Sequence, residues 1–212
     1  MIKKSALLTV CIIVICALPA RAEQYLGVGF HVGSQNDAGN ITSYNPELET
    51  DSQVSLLLGV SFKASCRFFF LRTGVDTTFA VTDGRVLENS DAAETITRYS
   101  ITYTGVPLFA GLNFPVQDIG EFYMGGGVEY FLAGGTISMG AQQKDISAMA
   151  LGYGFIAGVQ LNVTSKTRLY MEWEYIDART GAIMQTTAAA WDNLYIDLTG
   201  HRIMVGFMYY VI

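Results

Sequence analysis

Apolar and polar residues alternate one by one in stretch after stretch of the chain between residue 23 and its end. A period of two marks β-strands with one face in an apolar medium. Eight runs carry it: 23–34, 52–63, 67–80, 96–114, 121–134, 149–163, 168–177 and 196–212. In the first, Leu26, Val28, Phe30 and Val32 alternate with Tyr25, Gly27, Gly29, His31 and Gly33. In 67–80, Phe69, Leu71, Val75 and Phe79 oppose Arg72, Gly74, Asp76 and Thr78. In 168–177, Leu169, Met171, Trp173 and Tyr175 oppose Arg168, Tyr170, Glu172 and Glu174. The last run is less clean, because Met204 and Met208 fall on the polar side with Arg202 and Gly206. One run changes phase. In 96–114, Tyr99, Ile101 and Tyr103 oppose Arg98, Ser100, Thr102 and Thr104, but after Pro107 the apolar set is Leu108, Leu112 and Phe114. That slip predicts a β-bulge at Gly105 to Pro107.

The connections alternate in length. Short ones fall near 64–66, 114–120 and 164–167, and long ones over 35–51, 81–95, 135–148 and 178–195. An even number of strands with short turns at one end and long loops at the other is the pattern of bacterial outer-membrane barrels. Each run reaches the roughly 9–11 residues that cross a bilayer at a tilt. The faces decide between a soluble and a membrane barrel. One face of each run is nearly free of charge, and the other is Gly, Ser, Thr and a few ions. Small residues suit the narrow interior of an eight-stranded barrel and make a poor surface. The apolar face therefore looks at lipid, where a charge costs roughly 2–4 kcal/mol at the midplane. Tyr25, Phe62, Phe79, Tyr99, Phe114, Phe122, Tyr175 and Tyr209 lie near strand ends and are expected to form the interfacial girdles. The fold predicted is all-β: an eight-stranded antiparallel up-and-down transmembrane β-barrel over 23–212.

Residues 1–22 have a different pattern. Lys3 and Lys4 precede an apolar stretch from Ser5 to Pro19, and Ala20-Arg21-Ala22 has the small-x-small form of a cleavage site. The stretch is shorter than the roughly 20 residues of a spanning helix. A secretory signal peptide cleaved between Ala22 and Glu23 is expected, and with it export to the outer membrane. Its loss would remove Cys11 and Cys16 and leave Cys66 alone, so no internal disulfide framework is available. It would also remove Lys3, Lys4 and Arg21. The remaining 13 − 3 = 10 basic residues against 19 acidic ones give a net charge of −9. That balance argues against nucleic acid as a partner.

The stretch Tyr103-Thr104-Gly105-Val106-Pro107-Leu108-Phe109-Ala110-Gly111-Leu112-Asn113-Phe114, followed by the Gly-rich strand from Phe122 to Leu132, resembles the fourth-strand segment of the outer-membrane β-barrel domain family. Residues 23–212 resemble its small eight-stranded members of the OmpA, OmpX and OmpW type. The resemblance implies outer-membrane lipid and the barrel-assembly machinery as partners. Such barrels commonly end in Phe or Trp, whereas this chain ends Tyr209-Tyr210-Val211-Ile212.

The candidate chemistry is inside. Arg72, Arg98 and Arg202 face Asp76, Glu129, Glu172 and Glu174, with His31 at a similar depth. Isolated charges in a narrow lumen are unstable, so pairing is expected. The pairs would form a plug, or else a gate or ion path. Gly27-x-Gly29, Gly125-Gly126-Gly127 and Gly152-x-Gly154 lie within alternating strands, so they make room in the barrel rather than cradle a nucleotide. His31 and His201 lack metal-ligand spacing. No Ser stands two residues from His201, and no triad for lipid hydrolysis assembles. No catalysis and no cofactor are expected. The loops carry acids: Asp37, Glu47, Glu49 and Asp51 in the first, and Asp83, Glu88, Asp91 and Glu94 in the second. The fourth is apolar at Ala182, Ile183, Met184, Ala188 to Ala190 and Trp191, as a cap or contact surface would be. The roles predicted are a structural or adhesive surface protein binding an extracellular ligand through its four long loops. The alternative is a narrow channel for small or hydrophobic molecules, and the third is a lipid-modifying interface enzyme.

Overall fold

The computed structural model describes residues 24–36, 40–43, 48–49, 54–82, 85–86, 96–116, 119–139, 142–181 and 194–211. Eight long strands close into a barrel: β1 Gln24–Asn36, β2 Val54–Cys66, β3 Phe69–Thr82, β4 Ile96–Val116, β5 Gly120–Met139, β6 Gln142–Asn162, β7 Thr167–Asp177 and β8 Gly200–Tyr210. Each pairs antiparallel with its neighbours in sequence, and β1 pairs with β8 to close the wall. Closure leaves no sheet edge in lipid, where an unpaired backbone group costs several kcal/mol.

The registers fix the stagger. Partners followed around the wall run Ser34, Ile203, Trp173, Ala157, Met124, Leu112, Phe69, Cys66 and Gln24. The circuit leaves β1 at residue 34 and returns to it at residue 24, a shear of 34 − 24 = 10. A staggered closure tilts the strands against the barrel axis, typically by 35–45°.

The alternation resolves as the faces require. Leu26, Phe30, Phe62, Val75, Leu108, Met124, Phe155, Met171 and Phe207 face outward and are exposed. Between them runs a band without charge. Phe62, Phe79, Phe114, Phe122 and Tyr209 are exposed on it, as girdle residues should be. Tyr175 is half-buried. Tyr25 departs from the expectation. It shares the phase of Gly27 and His31 and packs edge-on against Tyr210 at 5.8 Å inside the mouth. The side chain of Tyr99 lies outside the described residues.

Two parts of β4 to β6 also differ from the sequence pattern. The bulge expected at Gly105 to Pro107 is absent. Ile101 and Tyr103 are buried at 0% and 1% exposure, while Thr102 is exposed, so odd positions point inward along the described strand. The register β4–β5 runs unbroken from Arg98 opposite Ser138 to Val116 opposite Gly120, and its shift lies between Ile96 and Arg98. The apparent slip has a physical origin. Above the lipid band the strand presents polar Thr102 outward and packs Ile101 and Tyr103 inward against Phe131, Ala133, Ile146 and Ile176. Pro107 is accommodated by a gap in the β3–β4 ladder, where the Thr73 hydroxyl donates to the Pro107 carbonyl at 2.8 Å. The second difference is the third connection. Residues 135–148 are not a long loop, because β5 and β6 pair out to Met139 opposite Gln142. Beyond the lipid no apolar outer face is needed, so the alternation fades while backbone pairing continues.

The other long connections are partly described. Asn40–Ser43 pairs with Leu194–Asp197, and Leu48–Glu49 pairs with Arg85–Val86. Asp37, Glu47, Asp51, Asp83, Glu88, Asp91, Glu94 and the apolar set from Ala182 to Trp191 lie outside the described residues. So do Ala22 and Glu23 of the expected cleavage site. Ile196 and Leu198 fold into the mouth fully buried and complete an apolar layer over the lumen.

Candidate functional site

The barrel's inward positions converge on a solid charged layer. Glu174 on β7 is the direct partner of Arg202 on β8. Arg202 Nη1 donates across the lumen to Glu129 Oε2 at 2.7 Å and lies 3.4 Å from Glu174 Oε2. Its Nε donates to Gln35 Oε1 at 2.9 Å, and its guanidinium sits over the Phe131 ring. Arg72 reaches from β3 to the opposite wall, with Nη1 2.7 Å from Glu174 and Nη2 2.8 Å from Glu172. Tyr123 donates to the other Glu172 oxygen at 2.6 Å. Glu174 is thus shared by two arginines, and each arginine spans two carboxylates.

His31 and Asp76 meet by a different device. In the register, His31, Gly59 and Asp76 lie in a row on β1, β2 and β3. A Cβ on Gly59 would overlap both side chains. Glycine there lets the imidazole reach over the middle strand to the carboxylate, at 2.9 Å. The other ring nitrogen lies 2.9 Å from the Tyr170 hydroxyl, which lies 3.3 Å from Ser61. Gly105 serves Glu129 in the same way, since a Cβ there would overlap its carboxylate.

Of the residues expected in the cluster, Arg72, Asp76, Glu129, Glu172, Glu174, Arg202 and His31 are all buried; the two arginines join the three glutamates, and His31 joins Asp76. Arg98 is not brought to it. It stands on β4 nine positions before Pro107, the partner of Glu129. Nine residues of extended strand span roughly 30 Å, far beyond the reach of a side chain. The inward phase expected for it depends on the apparent bulge, and the side chain itself lies outside the described residues.

A second cluster toward the short turns goes beyond the sequence expectation. Lys63 donates to Glu121 Oε1 at 2.6 Å, and Arg168 lies 3.1 Å from Glu121 Oε2. Lys63 sits 3.7 Å above the Tyr123 ring, and Arg168 stacks over Tyr210. The signal is present in the sequence. Lys63 and Arg168 lie on the polar faces of their runs, and Glu121 shares the phase of Tyr123. With this cluster, Asp76, Glu121, Glu129, Glu172 and Glu174 each have a basic partner.

The stack from the short turns to the long loops is therefore Lys63–Glu121–Arg168, then the arginine–glutamate layer with His31–Asp76, then the apolar cap. Buried charges that are paired and hydrogen-bonded hold a geometry and resist the loss of either member. Among the described residues no group of three or more His, Cys, Asp or Glu is arranged to hold a metal ion.

A family model for the outer membrane protein β-barrel domain matches residues 7–210. No curated protein has a matching sequence. Solved structures share the fold. The outer membrane protein OprG from Pseudomonas aeruginosa is 14% identical, with 89% of this chain and 96% of that one covered at a TM-score of 0.56. A major outer membrane protein from Thermus thermophilus is also 14% identical, with 88% and 98% covered at 0.51. Neisserial surface protein A is 15% identical, with 88% and 98% covered at 0.48.

Proposed function

The chain belongs to the outer-membrane protein β-barrel domain family, and from that premise we propose that it is a non-conducting membrane scaffold whose raised hairpin recognises an extended segment of an extracellular polypeptide. One observation carries the reading. β6 pairs with β5 along its whole length, but with β7 only from Tyr153 onward. Gln142–Gly152 therefore has, among the described strands, a partner on one side alone. An unpaired edge offers a row of N–H and C=O groups, and an extended peptide can add to it as a further strand. The inner face of that segment is held by Ile146 and Ala150, which pack into the apolar cap. The edge is thus carried on a rigid support rather than a loose loop.

The lumenal clusters speak against the channel reading, since buried side chains fill the space a solute would need. We read the role as non-enzymatic. We also read residues 1–22 as an export signal cleaved before Glu23, and the β8 terminus as the segment offered to the barrel-assembly machinery. The test is adhesion of bacteria displaying the chain to immobilised extracellular-matrix proteins, with the paired variant Asp145→Lys and Ser147→Lys, whose charges flank the edge and discourage strand addition. Adhesion that falls to the level of cells without the protein supports the reading. Adhesion unchanged by the paired variant refutes it.

A further inference from the structure

On the lipid-facing surface, β7 and β8 end toward the long loops in a cluster the lumenal plug does not use. Tyr175 is the cross-strand partner of His201, and Trp173 that of Ile203, one outward position nearer the membrane centre. The His201 ring stacks on Trp173 with centroids 5.7 Å apart and planes 22° apart, and lies 5.1 Å from the Tyr175 ring. The next outward residue on β7 is Asp177. Tyr153 donates to one of its oxygens at 2.8 Å and Thr199 to the other at 3.3 Å. Along a single column the wall passes from apolar to stacked aromatic to a fixed carboxylate.

We propose that this ledge binds the sugar headgroup of a glycolipid in the leaflet on the long-loop side. A pyranose ring has an apolar C–H face that stacks on aromatic rings and rim hydroxyls that donate to carboxylates. The ledge supplies both parts in the order a membrane-borne sugar meets them. The rings brace one another and Asp177 is held by two donors, so little side-chain freedom is lost on binding. A bare phosphate is disfavoured by the Asp177 charge, so recognition runs through the sugar. The source is a lipid because the platform opens directly onto the charge-free wall, with Phe155 and Ile203 exposed beside it to meet acyl chains.

The chain's two tryptophans are Trp173 and Trp191. Full-length protein carrying Trp191→Phe therefore reports on the ledge through Trp173 alone. It is folded into phosphatidylcholine vesicles containing increasing lipid A, or increasing phosphatidylglycerol as an anionic lipid without a pyranose. The expected result is a saturable change in Trp173 emission with lipid A and none with phosphatidylglycerol. The apparent affinity should fall about three- to tenfold, the scale of one stacking contact in His201→Ala and of one charge-assisted hydrogen bond in Asp177→Asn. Both side chains lie on the outer surface, and a heat-dependent gel shift verifies that each variant is folded. Equal responses to the two lipids, or a lipid A response that neither substitution changes, overturns the proposal. An equal response to the soluble amino-sugar disaccharide overturns the membrane source.

Discussion

Two glycines set the lumenal chemistry as firmly as the charged residues do. Gly59 leaves the space in which His31 reaches Asp76, and Gly105 the space for the Glu129 carboxylate. Gly59→Ala and Gly105→Ala should each lower the urea midpoint of the folded barrel, whereas Gly126→Ala, whose Cβ would meet nothing closer than 3.4 Å, should leave it unchanged. Equal midpoints for all three would remove the packing argument. Arg202 makes a sharper case, since it is 1% exposed and paired to Glu129 and Glu174. Arg202→Ala leaves Glu129 without its cation and Glu174 with Arg72 alone, and should cost about 3–5 kcal/mol of unfolding free energy. Arg202→Met combined with Glu129→Gln should recover much of that loss, because the uncompensated charge goes with it. All the lumenal residues expected from the sequence except Arg98 occupy this cluster, because inward phase and opposite charge are both visible in a strand pattern. Which acid meets which base is not visible there. The Arg72–Glu174 contact crosses the lumen, and the His31–Asp76 contact depends on the register across Gly59, which no single strand reveals.

At the scale of the strand, the band that meets lipid is defined by its lack of charge. Val205 is exposed in that band and Thr102 above it, and the two separate the environments. Val205→Arg should destabilise the barrel by roughly 2–4 kcal/mol, while Thr102→Arg should be close to neutral. Denaturant titration in vesicles measures both, and similar costs would mean the band is misplaced. Strand existence is legible from Leu26 to Val211 because the period of two is strong wherever one face meets lipid. The pattern misleads where that medium ends. Ile101 and Tyr103 keep their inward direction, but the polarity of the two faces exchanges, and an unbroken strand looks like a slipped one. Residues 135–148 look like a loop for the same reason. The raised hairpin gives a direct expectation for amide hydrogen exchange. In Gln142–Gly152, amides directed away from β5 should exchange quickly and those bonded to β5 slowly, whereas Tyr153–Leu161, paired on both sides, should be uniformly protected. Uniform protection across both segments would show the edge to be covered.

For the whole molecule, shear, alternation and the filled lumen describe one object: a closed wall, apolar outside, around a paired charged core sealed by an apolar cap. On the proposed reading, an outer-membrane barrel built this way is a platform whose long-loop end carries the recognition. That claim stands or falls on whether the lumen conducts. The deciding measurement is planar-bilayer conductance of refolded 23–212, with the heat-dependent gel shift as the check that the protein is folded. The expected result is folded protein with no conductance steps, and steps appearing only when Arg72, Glu129, Glu174 and Arg202 are together replaced by Ala. Steady steps from the unaltered chain would contradict the plugged lumen and return the molecule to the channel reading.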